Sequence, residues 1–297
     1  MINLVSHKKS PKTKESRSWV VCKWIVFSLF LLYAVSLLYP LAFALVTSLR
    51  SQEAYDLAHV SLKGITGFSA YISAFRTLEM GASSASIFVL IVNSLWYTVG
   101  GCGLSIVASS MTAYIVAKYS FKGRGIIYAV AIFTLSLPIV GQIPSQFVVY
   151  NALGIYDSPL LILSFFTGFG FNFVVLYSGF KNISWDYAEA AFIDGAGHTR
   201  VFLQIMLPHA LSLIGALFII TCVNYWNDYM GPLLFLPSWP TLASGLYMYR
   251  TLAVRGGGVS MPVLYAGLLV SVLPILILYG LFSRQMMEMT FSGGLKG

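Results

Sequence analysis

Six apolar runs constrain this chain more than any other feature. They occupy 24–49, 87–117, 126–150, 158–180, 210–225 and 261–282. A helix rises 1.5 Å per residue, so about 20 residues cross the ~30 Å hydrocarbon core of a bilayer. All but the fifth run reach that length, and the fifth is expected to begin earlier, near Phe202. Only 9% of residues are charged and the mean hydropathy is +0.80, whereas about 25% of a soluble domain is charged. One aqueous core cannot hide so much apolar surface. No ten-residue segments alternate polar and apolar positions, which excludes a membrane barrel. The sequence therefore predicts an all-α polytopic membrane protein with six transmembrane helices.

The first run raises a rival reading, because Ala42-Phe43-Ala44 resembles a signal cleavage site. A signal core is only about 7–15 residues long, so the run is read as a retained span. It follows a basic segment, 1–23, expected on the cytoplasmic side. The membrane-spanning body would be 24–283, and 284–297 would be a cytoplasmic tail. With the N-terminus inside, 13 Lys and Arg fall inside and 5 outside, while the ten acids divide evenly. This bias places both termini in the cytoplasm. It also accounts for the net charge of +8 without nucleic acid. Cys22, Cys102 and Cys222 are dispersed in apolar runs, a pattern that gives neither a disulfide framework nor a metal site.

Two stretches leave alternatives open. Pro138, Gly141 and Pro144 break the third run, with Gln142 and Gln146 four residues apart on one face. They fit kinks and tight packing, or a polar pathway, since polar residues within spans face the bundle interior. At the outer end of the fifth run, Trp226, Asn227 and Asp228 fit an interfacial anchor at a helix end. They also fit a sugar contact, through an aromatic face and hydrogen-bonding side chains.

The cytoplasmic stretch between the fourth and fifth runs, about 184–208, is unusually charged and broken by glycine. Ser184 is expected to cap a helix, with Asp186 and Glu189 near its positive end. Tyr187, Ala190, Ala191 and Asp194 share one side of it, and Gly195-Ala196-Gly197 should bend or end it. Thr199 is expected to cap a second short helix. Enzyme signatures are missing: there is no HExxH pair, no GxSxG elbow and no phosphate-cradling glycine loop. A stand-alone carrier usually carries ionisable groups in mid-span, and these spans lack them.

Glu189-Ala190-Ala191, then three residues, Gly195, nine residues, Ile205 and Leu207-Pro208 resembles the signature of the inner-membrane permease subunits of bacterial ABC importers. The likeness covers nearly the whole chain from about residue 25. "YWNDYMGPLLFLPSWPTLASGL" and the terminal "GGLKG" are similar to the carbohydrate branch, in its maltose-type six-span subunit. Ser212 and Thr241-Leu242-Ala243 depart from that pattern. The resemblance implies that Glu189, Ala190, Ala191, Asp194, Gly195, Ile205, Leu207 and Pro208 form a coupling helix region docking in a cytoplasmic ATPase. It implies a pathway for a sugar or oligosaccharide shared with a second homologous permease, with Gln142, Gln146, Asn227 and Asp228 as candidate pathway residues. The loop at Arg255, Gly256, Gly257 and Gly258 would reach an extracellular or periplasmic solute-binding protein. The chain would be a multi-pass protein of the bacterial inner membrane, in contact with lipid. It would hold no catalytic residue, metal or cofactor, leaving ATP and magnesium to the partner ATPase. A non-sugar solute, a membrane enzyme and a stand-alone carrier are the alternatives.

Overall fold

The computed structural model describes residues 17–61, 63–76, 78–80, 83–137, 141–255 and 259–294. Helix α1 runs over Arg17–Ser48, followed by the short outer helices α2 (Gln52–Leu57) and α3 (Ser69–Arg76). A small antiparallel hairpin, β1 (Leu78–Met80) and β2 (Ser83–Ala85), pairs Leu78 with Ala85. Then come α4 (Ile87–Lys118), α5 (Arg124–Ser136) and α6 (Gln142–Ala152). A 3-10 segment, Pro159–Phe165, leads to α7 (Phe171–Asn182) and α8 (Asp186–Ile193). Helix α9 (His198–Val201) passes through a π turn, Phe202–Met206, into α10 (Leu207–His209). The chain ends in α11 (Leu211–Trp226), α12 (Met230–Phe235), α13 (Leu242–Val254) and α14 (Met261–Gly294). Apart from the hairpin, the architecture is the expected all-α one.

Among the described residues, three unbroken helices are long and apolar enough to cross a bilayer: Trp19–Ser48, Ile87–Lys118 and Met261–Phe282. The third apolar run is divided, because the helix stops at Ser136 and restarts after Gly141. The fourth is a 3-10 segment and α7 separated by irregular chain. The fifth is a bent pair, in which His198–His209 meets Leu211–Trp226 at 76°. Pro208 explains much of this, since it lacks an N–H and so interrupts the helical ladder. Leu207 N–H reaches back five residues to the Phe202 carbonyl instead.

Helix α4 is the spine. Its outer part, Ile87 and Leu90, packs with Trp226, Leu242, Leu246 and Leu264. Tyr97 forms a middle cluster with Leu161, Phe235 and Leu236. Its inner part, from Cys102 to Val116, packs with Phe173, Phe180, Ala188, Met206 and Leu217. Small residues make this possible, because they let helix backbones approach closely. Gly101 is the tightest glycine of α4: a Cβ there would lie 2.7 Å from the Phe165 ring. Helix α1 differs. It is apolar on all sides, as expected of a lipid-facing or partner-facing helix, and it is exposed from Val21 to Ala42. Near its outer end Phe43 meets Tyr265 edge to face at 5.6 Å.

Beyond that end, Arg50 organises the loop that follows α1. Only 1% of it is exposed. Its Nε donates to the Lys63 carbonyl (3.0 Å), Nη1 to His59 (3.2 Å) and Nη2 to Ala58 (2.7 Å) and Ala54. A guanidinium offers five donors in a fixed fork, so one side chain ties together a loop with little hydrophobic core of its own.

Candidate functional site

The segment after α7 is built by local capping. Ser184 Oγ accepts from the Asp186 N–H (3.3 Å) and donates to the Asp186 carboxylate (2.8 Å). Helix α8 then closes in a left-handed turn. Gly195 N–H bonds the Phe192 carbonyl (3.0 Å) and Ala196 N–H bonds Ala191 (2.9 Å). This pair of bonds is the Schellman arrangement, which needs a left-handed residue after the cap. Gly195 supplies it with a φ of +82°. Because the reversal is complete by Gly197, helix α9 starts at His198. Thr199 lies inside that helix and does not cap it, contrary to the sequence expectation.

Aromatic and polar contacts hold this segment to the inner end of α4. Lys118 Nζ donates to the Ile183 carbonyl. The Tyr119 hydroxyl pairs with His198 Nδ1 at 2.8 Å, and its ring meets Trp185 edge to face at 5.7 Å. Tyr114 lies 4.8 Å from Phe202, and Phe192 lies 4.9 Å from His198. His209 donates from Nδ1 to the Ile205 carbonyl (2.7 Å) and lies 4.9 Å from the Tyr187 ring. Ala188, on the packed side of α8, is fully buried.

The opposite face of α8 is open. Glu189, Ala190 and Asp194 are exposed, and Ala191 is half-buried. Among the described residues the Glu189 carboxylate has no hydrogen bond or ion pair. Beside it Ile193 is 86% exposed, a residue the sequence reading did not single out. Its signal was available: it falls four positions after Glu189 and so shares its side of the helix. Farther along, Ile205 and Leu207 are half-buried and Pro208 is exposed.

The other candidate residues lie apart from this segment. Gln142 is exposed at the start of α6 and Gln146 is half-buried one turn later. Neither bonds Asn227 or Asp228 among the described residues. Asn227 folds back on the Val223 carbonyl (2.8 Å) and borders a cavity of about 290 Å³ with Tyr229, Tyr247 and Arg250. Asp228 has both oxygens engaged: one accepts from the Tyr97 hydroxyl (2.7 Å), the other from the Gly231 N–H (3.0 Å). It thereby joins α4 to the chain entering α12. Arg255 is exposed at the end of α13, and Gly256, Gly257 and Gly258 lie outside the described residues. Among the described residues no three His, Cys, Asp or Glu side chains come together around a metal position.

Known proteins share these features. Residues 105–287 match the family described as the binding-protein-dependent transport system inner membrane component. The diacetylchitobiose uptake system permease protein NgcG of Streptomyces coelicolor is 29% identical over 266 residues, covering 88% of this chain and 85% of that protein. A crystal structure of a bacterial ABC transporter that imports the acidic polysaccharide alginate contains a chain of the same fold. Its TM-score is 0.77 at 23% identity, covering 92% of this chain and 99% of that one. A second, of a bacterial alginate ABC transporter in complex with an alginate pentasaccharide-bound periplasmic protein, gives 0.62 at 17% identity, covering 91% and 99%.

Proposed function

The chain belongs to the binding-protein-dependent transport system inner membrane component family, a non-enzymatic membrane permease, and from that premise we propose its place in a saccharide importer. It forms, with a second permease, the alternating-access pathway of an ATP-driven importer for a sugar or oligosaccharide. A cytoplasmic ATPase dimer, binding ATP and magnesium, drives it, and a solute-binding protein delivers the cargo outside. The sugar assignment is supported by the diacetylchitobiose permease and the alginate importers among its likenesses. In this reading the membrane is crossed six times, with the third and fourth crossings made by broken helices and both termini in the cytoplasm. The positive-inside bias supports that orientation.

The observation that carries the coupling role is the open face of α8. Glu189, Ala190, Ile193 and Asp194 are exposed on a helix whose other side is fixed to α4. An unpaired carboxylate beside an exposed isoleucine suits a cleft with a basic rim and an apolar floor. The small Ala190 and Ala191 permit close approach. Gly195 sets the angle, and Ile205, Leu207 and Pro208 carry the motion toward α11. Gln142, Gln146 and Asn227 remain candidates for the pathway wall, with Asp228 positioning its outer end. The Arg255–258 loop is assigned to binding-protein contact.

Glu189→Ala tests the assignment. A docked pair that loses one charged partner costs about 3–5 kcal/mol when buried, against about 0–1 kcal/mol when exposed. The variant should insert and pair with its partner permease, yet lose ATPase subunits on purification and lose transport. Glu189→Lys should be worse. Wild-type uptake with the ATPase firmly retained would reduce the segment to a surface helix.

A further inference from the structure

The end of α1 that leads into the Arg50 loop carries a groove that the coupling segment does not use. It is a cavity of about 190 Å³ between the last turns of α1 and residues 59–61. Tyr39, Ala42, Phe43 and Val46 line its lower part, a single stripe at helical spacing. Thr47, Arg50, His59 and Ser61 line its upper part. One end is therefore apolar and the other basic and hydroxylic, with no acidic side chain on the wall.

Its depth matches a bilayer surface. About 20 helical residues cross the ~30 Å hydrocarbon core, so a helix that leaves the basic segment at Lys23 reaches the far edge of the core near Phe43. Thr47 then stands about 6 Å farther on, within the ~5–8 Å headgroup layer. Two groups there lack what they need. The Thr47 hydroxyl is buried with no hydrogen-bond partner, on a residue only 1% exposed. Arg50 is equally buried, and the carbonyls that accept from it carry no net charge. Among the described residues no carboxylate pairs with it. A buried cation without a counter-ion and a buried hydroxyl without a partner are both costly. Below them the stripe on α1 is open: Tyr39 and Ala42 are exposed, as is Val60 on the loop.

We propose that this groove seats one glycerophospholipid, with an acyl chain along the α1 stripe and its phosphate diester at Thr47, Arg50 and Ser61. A phosphate accepts charge-assisted bonds from a guanidinium and bonds from hydroxyls. It thus supplies the counter-ion and the partner that the chain itself withholds. Backbone carbonyls take four of the guanidinium donors, which leaves one Nη1 hydrogen for the lipid. The rings of Tyr39 and Phe43, stacked at 6.2 Å, form the wall against which the acyl chain lies. A wholly apolar face would suit a protein helix equally well. Basic and hydroxylic groups at headgroup depth suit a phospholipid. On the orientation proposed above the leaflet is the outer one, but the site itself requires only that α1 crosses the bilayer.

The protein purified in detergent with the partner chains it keeps, then delipidated, provides the test. Dioleoylphosphatidylglycerol is the lipid probe, dioleoylglycerol the phosphate-free control and inorganic phosphate the chain-free one. Native mass spectrometry should find at least one phosphatidylglycerol retained per copy of this chain. Ala42→Trp, which fills the groove from an exposed position, should lower that count by one per copy and leave the partner chains bound. Thr47→Val should weaken phosphatidylglycerol binding about fivefold, yet raise the thermal midpoint of the lipid-free protein, because it removes a buried unpaired hydroxyl. A higher midpoint with unchanged affinity would overturn the headgroup assignment. A full lipid count in Ala42→Trp would overturn the proposal. So would equal retention of dioleoylglycerol, or displacement of the lipid by inorganic phosphate alone. Loss of a partner chain in Ala42→Trp would overturn it too, by assigning the groove to a protein contact. Because binding is read without transport, each of these failures leaves the importer reading untouched.

Discussion

At its outer end α4 is fastened by several hydrogen bonds from largely buried side chains, although the Thr98 hydroxyl beside them is buried without a partner. Asn93 donates to the Pro240 carbonyl (2.9 Å), Ser94 accepts from the Leu242 N–H (2.7 Å) and Tyr97 donates to Asp228. Thr241 and Ser244 close a buried capping box at the start of α13 next to them. At its inner end the same helix, with Tyr119 that follows it, holds α8 and α9 through ring contacts and one exposed polar bond, from Tyr119 to His198. Buried hydrogen bonds are directional and costly to break, because each leaves an unsatisfied group behind. Ring contacts tolerate a range of angles. The outer end therefore behaves as a fixture and the inner end as a joint. On the importer reading proposed above both are needed: a joint that follows the ATPase, and a frame against which that movement is resolved.

Removing one member of the fixture should have the largest effect on stability. Tyr97→Phe keeps the ring but leaves the Asp228 oxygen without its donor. Hydrogen bonds to charged groups contribute about 1.5–3 kcal/mol, and thermal unfolding of the purified permease pair should register a loss of that size. An unchanged midpoint would mean the outer end is no firmer than the inner. Next in size is the joint's backbone. Gly195→Val places a β-branched residue at a positive φ, a strain of about 1–3 kcal/mol. A Cβ there meets nothing within 4 Å, so the defect must be conformational. Gly195→Asn should recover ATPase binding in a pull-down, since Asn tolerates the left-handed region; equal failure of both would point to a steric cause. The smallest effect belongs to Tyr119→Phe, which deletes the bond to His198 and keeps the ring against Trp185. A partly solvated bond of this kind is worth about 0.5–1.5 kcal/mol. Transport should fall less than with Gly195→Val, and a larger loss would make the joint depend on that one polar contact.

The long helices were legible because an apolar run of membrane length is most simply satisfied in lipid as a helix. The breaks were not. Leu160 to Phe165 is as apolar as any span, and its 3-10 form depends on how it packs against Gly101, far away in sequence. Glycine and proline announced trouble in the third run without saying that the helix would stop. The turns of the segment at 184–208 were partly readable because they are local: Ser184 and Gly195 act within a few positions of themselves, although Trp185 and not Ser184 stands at the N-cap of α8. Thr199 shows the limit, because a favourable cap residue counts only where the preceding turn leaves the chain extended. Asp228 shows another. Its partner Tyr97 comes from a different helix, so no spacing pattern could reveal that its carboxylate was taken.

The π turn at Phe202–Met206 bears on how lengths in this protein can vary. A π turn holds one residue more than the α turn it replaces, and such turns are found mostly as single inserts within α-helices. Successive residues on an α-helix are about 100° apart, as 3.6 residues complete a circle. The wider turn absorbs its extra residue, so the helix on either side keeps its phase. Excising one residue here would restore a regular α turn with α9 and α11 turned little relative to each other, and His198 would stay near Tyr119. The spacing of nine residues between Gly195 and Ile205 thus holds one residue of slack, taken up by the π turn.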